Sequence, residues 1–177
     1  MYTVTPYYLS KIVGEFPVQA FTPILFAVIT YFGLGLTASA SQFFYHYLIL
    51  FLLTQSAASF GYFMSSIFNK EETAVGVAPT IVMPIILFGG QFANAGNIQK
   101  WISWLQYISP IRYSFEAIII NEYDSRIYDI TKGEVNPKIF MGFDVGMWKC
   151  LVILTAITIG LRIFSLIFLK LLVSKFQ

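Results

Sequence analysis

The chain has 177 residues, 57% of them hydrophobic and only 11% charged, with a mean hydropathy of +0.71. Soluble domains carry about 25% charged residues, so this composition excludes a soluble globular domain. The formal net charge of +2 comes with no basic cluster, which removes nucleic acid from the partners to consider.

The first element is short and amphipathic. Residues 7–16, YYLSKIVGEF, set Leu9, Ile12, Val13 and Phe16 on one side, while Lys11 and Glu15 stand four apart, and Pro17 is expected to end the segment. From Phe16 to Asn69 there is no Asp, Glu, Lys or Arg. That run is about twice the ~20 residues one membrane helix needs. The polar patch TASASQ, residues 37–42, divides it into a span over 18–36 and another over 43–68. Pro23 can be tolerated in the first turns of the earlier span or can kink it. Gly33, Gly35, Ser56, Ala57, Ala58, Ser59 and Gly61 are small residues of the kind that let membrane helices approach closely. His46, between Tyr45 and Tyr47, reads as an interfacial side chain rather than a ligand, having no second His or acid nearby.

A charged turn, Asn69 to Glu72, precedes a third apolar stretch over 73–92. Pro79 and Pro84 must disturb its hydrogen-bond ladder. An irregular membrane helix needs protein or a water-filled cavity beside it, where freed carbonyls find partners. This stretch is therefore the candidate for lining a pathway, with Pro84 as its marker. Residues 98–123, IQKWISWLQYISPIRYSFEAIIINEY, then read as two short helices broken at Ser109-Pro110. Each half is roughly a dozen residues, about 18–20 Å of helix, too short for a ~30 Å hydrocarbon core. The halves read as a re-entrant pair, rich in the Trp and Tyr that favour the membrane interface. Arg112 and Glu116, four apart, are expected to pair on the surface of the second half.

A polar loop over 124–147 leads to a last span over 148–173. Arg162 is the one charge in the interior of that span, Lys149 and Lys170 lying near its ends. A central arginine costs about 2.5–3.5 kcal/mol on insertion scales; Lys170 marks the end toward which it could snorkel, and none of the three earlier spans holds an acid to pair with it. Cys150, the single cysteine, excludes an intramolecular disulfide and reads as inert, with a bridge to a second subunit as the alternative. Short loops place Lys11, Lys70, Lys170 and Lys175 on one side and none of their kind in the 37–42 loop, which puts both termini in the cytoplasm and the re-entrant pair outside.

No phosphate-cradling G-x-x-x-x-G-K-[ST] loop, zinc-binding H-E-x-x-H or G-x-S-x-G elbow occurs. The carboxylate neighbours Glu71-Glu72 and Glu122/Asp124 read as solvated caps at membrane edges. No catalytic, cofactor-binding or metal-binding residue is assigned.

The pattern W-L-x-Y-x-S-P-x-R-Y-x-F-E-A…N-E-Y, running from Trp104 to Tyr123, resembles the segment before the last membrane span of G-subfamily ABC transporters, the white/pleiotropic-drug-resistance type. The order of segments around it matches that family. The resemblance implies an all-α integral membrane fold with four spans, an N-terminal coupling helix and an extracellular re-entrant pair built around Pro110, Arg112 and Glu116. It implies that residues 7–16, through Lys11 and Glu15, dock on a nucleotide-binding domain. It makes F-G-G-Q-F-A-N, residues 88–94, a gate in which Gln91 and Phe92 replace two bulky apolar residues, and it places Gln19 near the cytoplasmic entrance. The implied function is that of the permease part of an ATP-driven exporter of lipophilic or amphipathic compounds. ATP and magnesium are expected on a nucleotide-binding domain elsewhere, together with membrane lipid and a homo- or hetero-dimer partner of the same subfamily. The chain corresponds to the back two-thirds of one transmembrane domain and reads as a fragment or a short protein. A second reading, a non-transporting adaptor that dimerises with and regulates full-length relatives, stays open on the residues alone.

Overall fold

The computed structural model describes residues 4–36, 39–68, 70–89, 104–123, 137, 141–143 and 145–175. Six helices organise them: α1 (Val4–Gly33), α2 (Ala40–Ile67), α3 (Glu71–Leu87), α4 (Trp104–Ile108), α5 (Pro110–Tyr123) and α6 (Met147–Lys175). No strand occurs among the described residues.

Three of these, α1, α2 and α6, are long and apolar enough to cross a membrane. Their 30, 28 and 29 residues give roughly 42–45 Å of helix, more than a ~30 Å core requires. The surplus lets them tilt or stand out of the bilayer. By contrast α3, with 17 residues, reaches only about 25 Å. The expected stretch 73–92 thus begins two residues early and its helix stops at Leu87; positions 91 and 92 lie outside the described residues.

A sequence expectation fails at Pro17. Residues 7–16 are not a separate helix, because α1 runs unbroken through both Pro17 and Pro23. Proline forfeits only its own N–H and crowds the carbonyl four residues back. For Pro17 that carbonyl belongs to Val13, in a turn flanked by Lys11 and Glu15 rather than in the apolar middle. Pro110 behaves as expected of a breaker in one sense only: Ser109 is non-helical, and Pro110 itself opens α5. At a first helical position the missing N–H would have had no partner anyway.

At the centre of the bundle stands α2, which packs against every other described helix except α4 in force, and most closely along α6. Ring pairs fasten α2 to α6 at both ends, Tyr45 with Trp148 and Phe63 with Phe168. Between them Ser56 and Thr158 share a 2.7 Å hydrogen bond in a fully buried setting. Two of the expected small residues, Ser56 and Ser59, do lie in this contact, while Ala57 and Gly61 face outward. Helix α5 wedges between α2 and α6, and Ile49, Tyr113, Ala117, Cys150, Leu151 and Leu154 close over one another there. Cys150 is 0% exposed, so an impermeant maleimide should leave the native chain unmodified and label it only after unfolding; labelling of the folded chain at a rate near that of free thiol would contradict this packing.

The buried stripe of α1 recurs every four residues. From Glu15 it runs through Gln19 to the buried Pro23, Ala27 and Tyr31, and the buried Tyr8 lies seven residues, two turns, before Glu15. Elsewhere α1 presents Phe21, Leu25, Ile29 and Phe32 to its surroundings. Only 11% of its most apolar stretch is buried, against 39% for α2, so α1 is a peripheral helix with a narrow seam on α2.

Candidate functional site

The polar residues of the bundle gather at two levels. The lower level, near the start of α1, is built on the four-residue stripe just described and on a matching stripe of α2. On α2 the buried positions Gln55, Ser59, Tyr62 and Ser66 follow at spacings of three and four, which keeps them on one face. The Tyr62 hydroxyl donates to Oε2 of Glu15 at 2.5 Å. Gln19 Nε2 donates to the same carboxylate oxygen at 3.3 Å and to the Tyr62 hydroxyl at 3.0 Å. Lys11 places its Nζ 5.8 Å from the centre of the Tyr62 ring, and Tyr8 meets that ring edge to face at 6.1 Å. Three sequence candidates, Lys11, Glu15 and Gln19, therefore converge on one residue, Tyr62, that sequence reasoning did not single out.

Helix α6 enters this level through Arg162. Its Nε donates to Ser59 Oγ at 3.0 Å, and its Nη2 donates to Gln55 Oε1. The hydroxyl of Tyr8 donates to the Arg162 carbonyl at 3.1 Å. The guanidinium therefore turns into the bundle and is satisfied by α2, rather than snorkelling toward Lys170. Two short polar side chains one turn apart on α2 supply what no acid in the spans could.

The upper level surrounds α5. Arg112 and Glu116 are 7% and 0% exposed, so both are buried rather than at the surface, and the expected pairing is not made: no direct hydrogen bond joins them. Arg112 stacks its guanidinium over the Tyr107 ring at 4.8 Å, the cation–π geometry that tolerates burial. Glu116 Oε1 accepts the backbone N–H of Val145 at 2.7 Å, tying α5 to the approach into α6. The Tyr113 hydroxyl donates to the Tyr107 carbonyl at 2.9 Å. Asn121 and Gln42 exchange side-chain-to-backbone hydrogen bonds at 2.9 and 3.1 Å, joining the end of α5 to the start of α2. Glu122, expected as a solvated cap, is 3% exposed. His46 is also interior at 5% exposure, with its Nε2 3.2 Å from Thr30 Oγ1 and its ring against Tyr31. His46 thus packs between α1 and α2.

Pro84 sits inside α3, where its carbonyl still accepts the Phe88 N–H at 3.0 Å. Gln91 and Phe92 lie outside the described residues. Among the described residues no group of three His, Cys, Asp or Glu is placed to hold a metal ion.

The family model described as ABC-2 type transporter matches residues 1–123, which takes in α1 to α5. The chain is 32% identical to the Protein white of Drosophila melanogaster over 77% of its own length and 19% of that protein's. It is 34% identical to the ABC transporter ATP-binding protein/permease wht-1 of Caenorhabditis elegans over 71% of its length and 19% of that protein's. With ABC transporter G family member 1 of Dictyostelium discoideum it shares 30% identity over 97% of its length and 24% of that protein's. The chain thus spans about a fifth to a quarter of the length of these relatives. A matched family model covering more than half of the chain, an all-helical bundle with apolar spans, and white-type relatives over most of its length converge: this chain is an integral membrane protein of the ABC-2 type transporter family, in its G-subfamily.

Proposed function

We propose that this chain supplies the translocation pathway and gate of an ATP-driven exporter of lipophilic or amphipathic compounds, working as a two-fold dimer. The observation that carries the reading is the lower polar level. Its members Tyr8, Lys11, Glu15 and Gln19 on α1, Ser59 and Tyr62 on α2 and Arg162 on α6 link the first half of α1 to the second halves of α2 and α6. A push delivered to the first turns of α1 is shared at once by α2 and α6. That is what a permease needs if ATP is hydrolysed on a separate nucleotide-binding domain, with magnesium, as the relatives named as ATP-binding protein/permease suggest. This chain has no phosphate-cradling loop of its own, so ATP binding is not assigned to any residue in it.

In this reading α3 completes a fourth crossing together with the residues after it, and the α4–α5 pair dips into the membrane from outside and returns. Gln91 and Phe92 form the gate, with Phe92 sealing and Gln91 pairing across the two-fold axis, a contact of about 1 kcal/mol in membranes. Membrane lipid covers the exposed flank of α1. Both termini face the cytoplasm. Single cysteines introduced at Ser39 and Lys132 should then label from outside with an impermeant reagent, and one at Lys70 should not; labelling at 70 in intact cells reverses the topology. The function itself is tested by ATP-dependent flux of a lipophilic dye in inside-out vesicles carrying the assembled transporter. Flux is expected to fall to background when Phe92→Ala is introduced and the gradient leaks away. A dye gradient that builds and holds in Phe92→Ala as in the wild type removes this residue from the pathway.

A further inference from the structure

The last turn of α3 does not close as an α-helix, and the gap it leaves is filled by the turn between α4 and α5. In a regular helix the N–H of Gly89 would reach the carbonyl of Ile85. It bonds instead to the Ile86 carbonyl at 3.1 Å, a tighter i to i−3 closure. The Ile85 carbonyl is thereby released, and the hydroxyl of Ser109 donates to it at 2.9 Å. Ser109 is the non-helical residue between α4 and α5 and is 0% exposed.

Gly89 contributes to the same contact from the other side. A Cβ there would lie 2.8 Å from Cγ2 and 3.0 Å from Cβ of Ile111, and 3.1 Å from the Ile86 carbonyl oxygen. Its φ is not in the left-handed region, so glycine is required here for space and not for backbone freedom. The hairpin thus presses backbone-close against the end of α3. Little else fixes that end. No side chain from Glu72 to Leu87 is buried, and the main packing neighbours of α3 are α2 and α4.

The geometry points to a joint: Gly89, Ser109 and Ile111 fasten the turn between α4 and α5 to the end of α3, so that this turn and the end of α3 move as one body. Ser109 and Gly89 are positioning residues that act through α3. What the movement accomplishes rests on the transporter reading above; the joint itself does not. Its logic is an exchange of partners. While Ser109 holds the Ile85 carbonyl, α3 ends in the tight turn. Without Ser109 the carbonyl is free to take back the Gly89 N–H, lengthening the regular helix and releasing the hairpin.

Spin labels at Leu87 and Tyr107, both exposed, report the joint in the full chain carrying Cys150→Ala. A second pair, Leu87 with Phe44, reports α3 against α2. The wild-type Leu87–Tyr107 distance distribution should be narrow. Ser109→Ala removes the donor that holds the Ile85 carbonyl and should widen that distribution about twofold, whereas Ser109→Thr, which keeps the hydroxyl, should restore it. Gly89→Ala should shift the distance, and adding Ile111→Ala should return it toward wild type. Wild-type distributions in both Ser109→Ala and Gly89→Ala would overturn the joint. In the assembled transporter, a non-hydrolysable ATP analogue should move Leu87 relative to Phe44 and leave Leu87–Tyr107 unchanged. Equal movement in both pairs overturns the joint as well. If the analogue moves neither pair while Ser109→Ala still widens the first, the joint stands and the transporter reading fails.

Discussion

Gln55→Leu should destabilise the bundle by about 2–3 kcal/mol, the order expected when a charged group loses a buried hydrogen-bond partner. Leucine has nearly the volume of glutamine, so packing of α2 on α6 changes little. What is lost is the acceptor for Nη2 of Arg162, which keeps only its 3.0 Å bond to Ser59. Neutral polar pairs between membrane helices average about 0.6 kcal/mol, so an effect of this size depends on the charge. Arg162→Leu alone should cost less. It leaves the Gln55 amide buried with no partner, because its Nε2 already has none, but removes the ion. The double variant, apolar on both sides, should recover most of the loss. Reversible unfolding in mixed detergent micelles measures all three. Costs that simply add across the two single variants, with no recovery in the double, would show that Arg162 is not held by Gln55.

That network shows how far the sequence could be read. Membrane class, the existence of the apolar stretches and the Ser109 break followed from composition and from proline chemistry. The polar stripe on α2 was also present to be read, since Gln55, Ser59, Tyr62 and Ser66 keep one face through a run without charges. It went unread because serine in a membrane helix serves equally as a small packing residue, and two of the five small residues in that segment do lie in the packed seam. Arg112 and Glu116 misled for a different reason. Spacing of four says that two side chains share a face, but not whether that face meets water or protein. Only the wedge of α5 between α2 and α6 decides it, and that depends on contacts between residues far apart in sequence. Pro17 misled because proline's cost is local, and a helix of 30 residues with an apolar seam can absorb one lost bond near its polar end.

Glu15→Lys should reduce ATP-dependent transport by about tenfold, equivalent to roughly 1.4 kcal/mol of lost coupling, while ATP hydrolysis continues near its wild-type rate. The Tyr62 hydroxyl donates to Glu15 and accepts from Gln19, so α1 is held to α2 at this level through hydrogen bonds that meet on one hydroxyl. An ammonium group at position 15 offers no acceptor to the Tyr62 O–H or the Gln19 N–H, and it adds a like charge one turn from Lys11. The helix itself loses nothing, since lysine is as good a helix former as glutamate. Insertion and assembly are therefore expected to be normal, and the damage is confined to the link between α1 and α2. Glu15→Gln separates charge from hydrogen bonding. Its amide oxygen still accepts from Tyr62, so transport should stay within about threefold of wild type, because a neutral acceptor retains roughly half the strength of a charged one. Tyr62→Phe removes the donor and keeps the ring that faces Tyr8 and Lys11; it should resemble Glu15→Lys in direction with a smaller loss. If Glu15→Lys and Tyr62→Phe both transport at the wild-type rate, the lower polar level is a packing feature of the bundle and not the route by which α1 passes on its movement.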